Sequence, residues 1–454
     1  MSGIIEGYGT YGIIYSKPRL PYIVKYKFNK ESFEEPFPYI DENISEVNRD
    51  NYENNYYENN NYENNNYEND NFLKYEASKV FYDTEYYEVE LAEYIYILKN
   101  YNIPDEYFNK PLNYGSINKK YIINNITKFN YNKEKFKKKN IYYTYLYAEY
   151  QITFFKGINL DKIDIFNNFK KTENILYATK FMNENNLIFD DFKKDNIIIV
   201  DGKMKFCDFS SIINMTDLNL NILQKSNLKT IFYYIYNPIL NILLCYYISI
   251  KENNIIIIDE ILNNIKIDEK NSQNIDYIDY NKRLINKIYN FSKKLDRSNN
   301  IGNIFKNIYF YIDRNIKSED YYKIIILKFI EYFNNKYEDN TELKIVELIS
   351  RINIYSLGIV FLQYMDLYID QNQKYNKVFF KNLFEIYKLC SLQFNIVNNE
   401  NSDNNNDNNI YRIINKNIDY EIDDKKIDII DDYKIDIIEI DIESIISKFN
   451  EIEC

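Results

Sequence analysis

Residues 191–210 read DFKKDNIIIVDGKMKFCDFS. The apolar runs Ile197–Val200 and Met204–Cys207 predict the two short strands of one hairpin. Two carboxylates, an amide and an ammonium stand around this hairpin, and they belong to Asp191, Asp208, Asn196 and Lys193. Phosphoryl transfer from a magnesium nucleotide needs such a set: a carboxylate that orients the attacking hydroxyl, oxygen ligands for a hard cation, and a positive charge for the γ-phosphate. The stretch therefore predicts a site of phosphoryl transfer.

A glycine-rich motif near the start of the chain is the second feature. Residues 7–12 read GYGTYG, with glycines at Gly7, Gly9 and Gly12. The spacing also occurs in dinucleotide-binding domains, but there the third glycine begins a helix. Here the β-branched and aromatic residues Ile13–Tyr15 follow, which favours a strand–turn–strand whose backbone N–H groups can approach phosphate oxygens. An ordinary glycine hairpin is the alternative.

A lysine in an apolar strand is the third feature. Ala77-Ser78-Lys79 falls within the predicted strand Phe72–Asp83, and a predicted amphipathic helix follows at Glu85–Asn100. An ammonium group in such a strand needs a counter-charge. An acidic residue on the following helix could supply it and hold the ammonium toward phosphates. A lysine on the surface of the strand is the alternative.

Composition excludes several classes of function. The 454-residue chain has no histidine, so neither a Ser-His-Asp triad nor an HExxH zinc site can form. Its four cysteines stand far apart, which supports neither a zinc ribbon nor a disulfide framework. The formal net charge of −12 argues against unspecific nucleic-acid binding, which needs a basic surface. We therefore expect no nucleic-acid partner.

The start of the chain and one apolar stretch bear on its location. Met1–Gly12 lacks the charged start and the long apolar run of a signal peptide. Ile231–Ile250 is uncharged and about long enough to span a bilayer, but two asparagines and a proline interrupt it. A buried segment is therefore favoured over a membrane span. We expect an intracellular, cytoplasmic protein with reduced cysteines and no membrane span.

Three segments have a biased composition. Within residues 34–71, Tyr-Glu-Asn units recur every five residues, a period that suits neither a helix nor a strand, so we expect disorder there. Residues 113–141 form a lysine-rich insert, for which a solvated loop is favoured over a docking site for an acidic partner. Residues 398–454 form an Asn-rich linker and an acidic Ile/Asp-rich tail, which could end in a helix or a hairpin.

These motifs, in this order, resemble the signature set of the eukaryotic protein kinase superfamily: a glycine loop, a strand lysine, a catalytic loop and an Asp-Phe-Gly segment. Further on, residues 353–358 (NIYSLG) resemble the D-x-Y-S-x-G start of the family's central C-lobe helix. The composition and the Asn-rich insertions look most like the divergent Ser/Thr protein kinases of giant DNA viruses. That likeness implies the host cytoplasm or the virion as the location.

The resemblance implies an α+β fold with two lobes, a small β-rich N-lobe and a large helical C-lobe, with long low-complexity insertions. The implied N-lobe covers residues 1–156 and contains the inserts at 34–71 and 113–141. The implied C-lobe covers residues 157–397, with a long insertion at about 245–345. The linker and tail at 398–454 lie outside the resemblance.

The resemblance also implies nucleotide contacts in the N-lobe. Gly7, Gly9 and Gly12 would cover the phosphates of ATP, with Ile14 and Ala77 against the adenine.

Lys79 would hold the α- and β-phosphates and pair with a glutamate of the following helix. Glu88 is the preferred partner because the apolar residues Val89, Leu91, Ala92 and Ile95 follow it as they do on the family's inward helix face. Glu90 is the runner-up.

In the C-lobe, the resemblance implies that Asp191 accepts the proton of the substrate hydroxyl and that Lys193 neutralises charge on the γ-phosphate. Asn196 and Asp208 would hold Mg2+, or Mn2+ in its place. A lysine two residues after the catalytic aspartate resembles serine/threonine kinases more than tyrosine kinases. The physiological protein substrate is not readable from the sequence.

Four positions depart from the family pattern. Phe189 stands where the catalytic loop usually has histidine, and Asp190 stands where it often has arginine. Without that arginine, control by a phosphorylated activation loop is not expected. Ser210 replaces the glycine after Asp-Phe, which should stiffen the segment. Asn353 replaces an aspartate, which should weaken its support of the catalytic loop by the loss of a charged hydrogen bond.

Four hypotheses of function follow. The leading one is an active Ser/Thr protein kinase, because Lys79, Asp191, Lys193, Asn196 and Asp208 are all present. The second is a pseudokinase or nucleotide-binding scaffold, which Phe189, Ser210 and Asn353 favour. A related enzyme with a small-molecule acceptor is the third, and a membrane-anchored or structural protein is last.

Overall fold

The structure is a computed structural model of the whole chain. It describes residues 4–8, 13–16, 26–27, 76–81, 84–116, 150–225, 238–253, 275–295, 319–371, 376–391, 393–398 and 433–452. The Tyr-Glu-Asn repeat, the lysine run of the second insert, the Asn-rich linker, and Gly9 and Gly12 lie outside the described residues. Helices and small sheets occur together, so the coarse α+β class is confirmed.

The chain divides into two compact units, one of residues 1–158 and 199–210 and the other of residues 159–198 and 211–454. The chain leaves the first unit after residue 158 and returns to it for residues 199–210, which include most of one hairpin. The domain boundaries predicted from the sequence treat each lobe as a continuous stretch, and so they do not assign residues 199–210 to the first unit.

The first unit is built from strands and one helix, numbered here in chain order among the described elements. They are β1 (Ile4–Tyr8), β2 (Ile13–Ser16), β3 (Tyr26–Lys27), β4 (Glu76–Phe81), α1 (Thr84–Asn100), β5 (Pro111–Ser116) and β6 (Tyr150–Phe155). The strands form one sheet in the order β1-β2-β4-β6-β5-β3, in which every neighbouring pair is antiparallel. The strands β7 (Ile158–Asn159) and β9 (Ile197–Val200) lie where the chain passes between units, and β10 (Lys203–Phe206) belongs to the first.

Helix α1 packs on this sheet through a face spaced by three and four residues, as an amphipathic helix does. Its buried residues are Tyr87, Glu90, Leu91, Tyr94 and Ile97. The Tyr87 ring stacks on Tyr150 of β6 with centroids 4.6 Å apart, and the Tyr94 ring lies 5.8 Å from Phe154. Large aromatic side chains therefore set which face of α1 meets the sheet.

The second unit is mainly helical. Its elements are α2 (Ile165–Asn168), α3 (Glu173–Glu184), β8 (Leu187–Phe189), β11 (Ile212–Asn214), α4 (Leu220–Lys225), α5 (Pro238–Lys251), α6 (Ile275–Leu295), α7 (Glu319–Tyr337), α8 (Thr341–Gln371), α9 (Lys377–Ser391), β12 (Phe394–Asn398), β13 (Tyr433–Ile437) and α10 (Ile442–Asn450). Strands β8 and β11 pair antiparallel, as do β12 and β13.

Helix α8 is the centre of the second unit. Every residue from 351 to 365 is buried, because α3, α5, α6, α7 and α9 all contact this helix. Gly358 lets α9 come close: a Cβ atom there would meet the Cβ of Cys390 at 2.7 Å. The resembled motif at residues 353–358 thus lies in a continuously buried stretch of this helix.

One described helix, α8, is long and apolar enough to cross a membrane, and 83% of its most apolar window is buried inside the unit. That degree of burial fits a core helix. The sequence analysis considered Ile231–Ile250 as a membrane span. The structure describes this stretch only from residue 238, where α5 begins. Helix α5 has 14 residues, fewer than the roughly 20 that a span needs, and its buried residues include Leu240, Leu243 and Leu244.

The C-terminal tail is part of the second unit. Its strand β13 pairs with β12, which crosses the predicted boundary at residue 398, and its helix α10 packs on α3 and α9. The sequence analysis gave a helix and a hairpin as alternatives for the tail. In the structure the tail contributes a strand to the pair with β12 and also forms a helix. The pairing residues of β12 and β13 lie 35 or more positions apart, so no turn signal announces them.

Candidate functional site

Lys79 is the centre of a charged group in the first unit. Its ammonium Nζ lies 2.7 Å from Oε1 of Glu90 on α1 and 2.8 Å from Oδ1 of Asp208. Lys79 and Glu90 are largely buried, whereas Asp208 keeps 44% of its side chain exposed. One ammonium therefore bridges a buried carboxylate and a carboxylate that solvent reaches.

The preference for Glu88 as the partner of Lys79 is wrong, and the runner-up Glu90 takes that place. Glu88 is exposed, and so is Val89, with 51% of its surface accessible. The sequence argument set the helix phase from small aliphatic residues such as Val89, whereas Tyr87 and Tyr94 set it in the structure. Glu88 and Glu90 are two positions apart on a helix, so they point to different sides.

Burial and charge act against each other on this group. Burial lowers the pKa of Lys79, but the Asp208 and Glu90 carboxylates more than offset this effect, so its pKa lies above the usual value. The pKa of Glu90 is raised to about 7, because burial and the Asp208 carboxylate raise it more than Lys79 lowers it. Lys79 is therefore cationic at neutral pH, with more carboxylate around it than one ammonium can neutralise.

Asp208 has an unusual backbone conformation. Its φ is +55°, in the left-handed region that costs energy for a residue with a Cβ atom and that aspartate enters more readily than most. Phe209 follows it and is fully buried, with its ring 5.1 Å from Tyr94 and 5.2 Å from Phe108. Backbone strain held by a buried aromatic neighbour is common at functional sites.

The second unit carries its own charged group, in the loop before β9. Oδ2 of Asp191 lies 2.7 Å from Nζ of Lys193. The amide nitrogen of Asn196 donates to the same Oδ2 and to the Asp191 carbonyl, at 2.9 Å each. The loop therefore brings together three of the residues predicted from the sequence, and it does so within a span of six residues.

Helix α8 holds this loop in place. Oε1 of Gln363 accepts a hydrogen bond from the backbone N–H of Lys194 at 2.9 Å, and the Lys194 ammonium pairs with Asp161 at 2.9 Å. Phe189 and Phe192 are buried, with their rings stacked 6.1 Å apart. Phenylalanine at position 189 thus packs beside the loop, as an apolar side chain can.

Asn353 supports the strand that leads into the loop. Its buried amide donates to the carbonyl of Leu187 at 2.8 Å and to Oδ1 of Asn183 at 2.9 Å. Both bonds need a donor, which asparagine has and a carboxylate lacks. We expected asparagine to weaken the support of the catalytic loop, but these contacts do not indicate a weakening. In this chain the Asn353 amide donates to both of its acceptors.

We expect Asn353→Asp to lower the free energy of unfolding by about 1–3 kcal/mol, because the Leu187 carbonyl and the new carboxylate would both be buried without a donor. Urea unfolding would measure the change. Asn185→Asp is the matched control, since the Asn185 amide donates to the Phe181 carbonyl at an exposed site where water can replace it. A variant at 353 as stable as the control would contradict this account of the contact.

The described part of the glycine motif lies in paired strands. Gly7 is in β1 opposite Ile14 of β2, at a register shift, and Ile14 in turn lies opposite Lys79 of β4. Ala77 lies in β4, opposite Ser16 and Phe154. The two strands expected on either side of the turn are present, and they lie beside the strand that carries Lys79.

Sequence reasoning missed Gln363 and Glu93. Gln363 is a polar residue in an apolar helix, and such a residue needs a partner when it is buried, so it could have been noticed. The pKa of Glu93 is raised to about 6, chiefly by burial, and the charges of Lys79 and Asp208 act on it as well. Glu93 lies one turn after Glu90, so the correct helix phase would have pointed to it.

No family model, curated protein or solved structure matches this chain.

Proposed function

We propose that this chain is a protein kinase that transfers the γ-phosphoryl group of ATP to serine or threonine hydroxyls with the help of magnesium. The observation that carries the proposal is the ammonium of Lys79 held at 2.7 Å by Glu90 and at 2.8 Å by Asp208. In protein kinases, a strand lysine paired with a helix glutamate and the aspartate of the Asp-Phe-Gly segment must both be in place. The proposal includes the two-lobed kinase fold, with the sheet and α1 as N-lobe and the helical unit as C-lobe.

The chemistry of magnesium fits the residues available. The proposal assigns magnesium to one oxygen ligand in each unit, each described within its own unit: the amide oxygen of Asn196, whose amide nitrogen bonds Asp191, and the carboxylate of Asp208. Among the described residues there is no cluster of three His, Cys, Asp or Glu side chains that would form an all-protein cage. Mg²⁺ bound with a nucleotide usually takes one or two carboxylates and the phosphates. When bound, it would neutralise charge on the transferring phosphates.

The loop of the second unit would handle the proton. The substrate hydroxyl oxygen forms a bond to the γ-phosphorus while the bond from that phosphorus to the β–γ bridging oxygen breaks, and ADP leaves. Asp191 takes the hydroxyl proton, and Asn196 holds the Asp191 carboxylate in one orientation through its 2.9 Å hydrogen bond. Lys193, now 2.7 Å from Asp191, would follow the charge that develops on the γ-phosphate.

A nucleotide-binding scaffold without transfer is the second candidate. The observation that favours it is that Lys193 and Asn196 both contact Oδ2 of Asp191, the oxygen that a base needs. The two candidates agree on the nucleotide and differ on the role of Asp191.

Transfer of labelled γ-phosphate from ATP, with Mg²⁺ and a generic basic protein as acceptor, tests the proposal. We expect transfer by the wild type and a loss of about 10²–10⁴-fold in Asp191→Asn, the usual contribution of a general base. Asp195→Asn is the matched control, because Asp195 lies in the same loop but is exposed and contacts only Lys194 among the ion pairs described. If the folded wild type binds ATP but transfers no phosphate, the kinase proposal is wrong and the nucleotide-binding scaffold is the better hypothesis.

A further inference from the structure

The backbone of Lys194 is bound by a side chain from the core of the second unit. Gln363 of α8 is 1% exposed, and its Oε1 accepts the Lys194 N–H at 2.9 Å. Lys194 begins a short 3-10 helix, Lys194–Asn196, and the first N–H groups of a helix have no partner inside it. Gln363 therefore supplies an acceptor that the start of this turn cannot supply for itself.

The same turn carries the side chain that orients Asp191. The Asn196 N–H donates to the Lys193 carbonyl at 3.1 Å, which closes the turn. The side-chain amide of Asn196 donates to Oδ2 and to the carbonyl of Asp191, at 2.9 Å each. Because the turn is only three residues long, a displacement of Lys194 would move Asn196, and with it the bonds that hold the Asp191 carboxylate.

Helix α8 also reaches the Lys194 side chain, by a less direct route. Gln371 donates from Nε2 to the Ile163 carbonyl at 2.7 Å, and its Oε1 accepts the Ile165 N–H at 3.1 Å. These bonds fix the segment just after Asp161, whose carboxylate pairs with the Lys194 ammonium at 2.9 Å. Asp161 keeps 59% of its side chain exposed, so water and salt weaken this pair. The bond from the buried glutamine to the backbone is therefore the firmer of the two.

We propose that Gln363 is a positioning residue for Asp191. Its bond with the Lys194 N–H fixes the turn that carries Asn196, and Asn196 holds the Asp191 carboxylate. The inference rests on the proposed function, in which Asp191 takes the proton of the acceptor hydroxyl. It adds that the rate of transfer depends on a core residue of α8 that is itself too enclosed to meet an acceptor. A reacting group held about 1 Å out of place costs of the order of 10²-fold in rate.

Gln363→Met is the first variant of the test. Methionine is a flexible, apolar side chain that fills the space of glutamine, and its sulfur is only a weak acceptor for the Lys194 N–H. Transfer of labelled phosphate from ATP with Mg²⁺ to a generic basic protein would be measured with the folded, full-length chain. We expect kcat to fall about 10–100-fold and the KM for ATP to change much less, because the Lys79 ammonium is untouched.

A proline at position 194 removes the N–H itself and completes a double-mutant cycle. Lys193 is extended, with φ −145° and ψ 164°, and the first position of a helical turn suits proline, so the backbone accepts Lys194→Pro. Lys194→Ala is the matched control, because it removes the same side chain and keeps the N–H. We expect Gln363→Met to lower kcat as much beside Lys194→Ala as in the wild type. Beside Lys194→Pro it should have no further effect, because the bond is already absent. An equal loss in both backgrounds would overturn the inference.

Amide hydrogen exchange, read residue by residue by mass spectrometry, tests the contact without nucleotide. In Gln363→Met we expect the amides of Lys194 and Asn196 to exchange several-fold faster than in the wild type, because both donate within or to this turn's support. Helix α10 in the same unit is the internal reference, and its exchange should not change. Unchanged exchange at Lys194, or an equal rise in α10, would mean that Gln363 does not specifically hold the turn.

The two measurements distinguish failure of this inference from failure of the proposed function. If the wild type transfers no phosphate while exchange at Lys194 and Asn196 still rises in Gln363→Met, Gln363 holds the turn and the kinase proposal is wrong. If the wild type transfers phosphate and Gln363→Met transfers it at the same rate, the kinase proposal stands and Gln363 is not a positioning residue.

Discussion

Removal of residues 433–454 is expected to unfold the second unit. The tail helix α10 buries Ile442, Ile445, Ile446 and Phe449, each exposed by 8% or less. Burial of a large apolar side chain contributes about 1.5–3 kcal/mol, so four of them contribute an amount comparable with the roughly 5–15 kcal/mol that keeps a whole domain folded. Loss of β13 would also leave β12 without its antiparallel partner.

A buried arginine explains why the tail is needed beyond its apolar surface. Arg351 of α8 is 1% exposed and pairs with Glu347 at 2.7 Å. Its guanidinium also donates to Oε1 of Gln393 at 3.1 Å and to the Ile438 carbonyl in the tail at 3.0 Å. A buried charge that loses partners is strongly destabilising, so the tail carbonyl is part of what makes this arginine tolerable.

The point variant Phe449→Ala gives a sharper test than truncation. Phe449 is fully buried, its ring lies 4.9 Å from that of Phe169, and the Lys170 ammonium lies 5.5 Å from its centre. We expect a loss of about 3–5 kcal/mol in the free energy of unfolding, from lost transfer energy and the cavity left behind. Urea unfolding followed by circular dichroism would measure it.

Lys448→Ala is the control for this measurement. Lys448 is the preceding residue, is 43% exposed and makes only an ion pair with Glu451 three positions on among the pairs described. Its replacement should cost about 0.5 kcal/mol or less. Equal stability of the two variants would mean that α10 is a loosely attached appendage and not part of the core of the second unit.

The elements nearest the candidate site were predictable because their signals are local. The sequence expected a helix at Glu85–Asn100, and the structure has one at Thr84–Asn100; the hairpin strands were placed to within one residue. Apolar runs bounded by polar residues, and a helical period over several turns, depend on neighbours in the chain. These signals also placed Asp191, Lys193 and Asn196 in one loop.

What the sequence missed depends on partners that lie far away along the chain. The sequence pointed to helix α8 only through the motif at residues 353–358, whereas the helix runs from Thr341 to Gln371. Its first half contains Arg351, which looks like a surface residue in the sequence but is buried because the Ile438 carbonyl and Gln393 satisfy its guanidinium. The phase of helix α1 also depends on distant partners. Aromatic contacts with strand β6, and not the helix residues alone, turn Glu90 inward.

Lys79→Met is expected to cost stability and nucleotide binding together, for separable reasons. The change leaves the Glu90 carboxylate buried without its cation, and the loss of one member of a buried pair costs about 3–5 kcal/mol. It also removes the ammonium that we propose binds the phosphates. The two losses can be measured as the urea midpoint and as the affinity for ATP with magnesium.

The double variant Lys79→Met/Glu90→Met distinguishes these losses. Replacement of both members of a buried ion pair by apolar residues is often neutral or stabilising, so stability should return toward that of the wild type. Affinity for ATP should not return, because no ammonium remains at position 79 to bind the phosphates. Glu88→Met is the matched control, and it should resemble the wild type in both measurements because Glu88 is exposed. Loss of ATP binding in Glu88→Met but not in Glu90→Met would mean that the helix phase described here is wrong.

The dependence on pH gives the last test of the group, and its sign follows from Glu90. Burial raises the pKa of this carboxyl to about 7 in the folded wild type, from its usual value of 4.5. A raised carboxyl pKa favours the folded state most at acid pH, and that contribution falls as the pH rises from about 4.5 to 7. Without Lys79 the pKa of Glu90 in the folded protein rises further, so the pH range over which stability falls extends to higher pH. The stability deficit of Lys79→Met relative to the wild type should therefore be larger at pH 8 than at pH 6. The double variant has no carboxyl at position 90, so its stability relative to the wild type should instead improve from pH 6 to pH 8, because only the wild type then loses stability through Glu90.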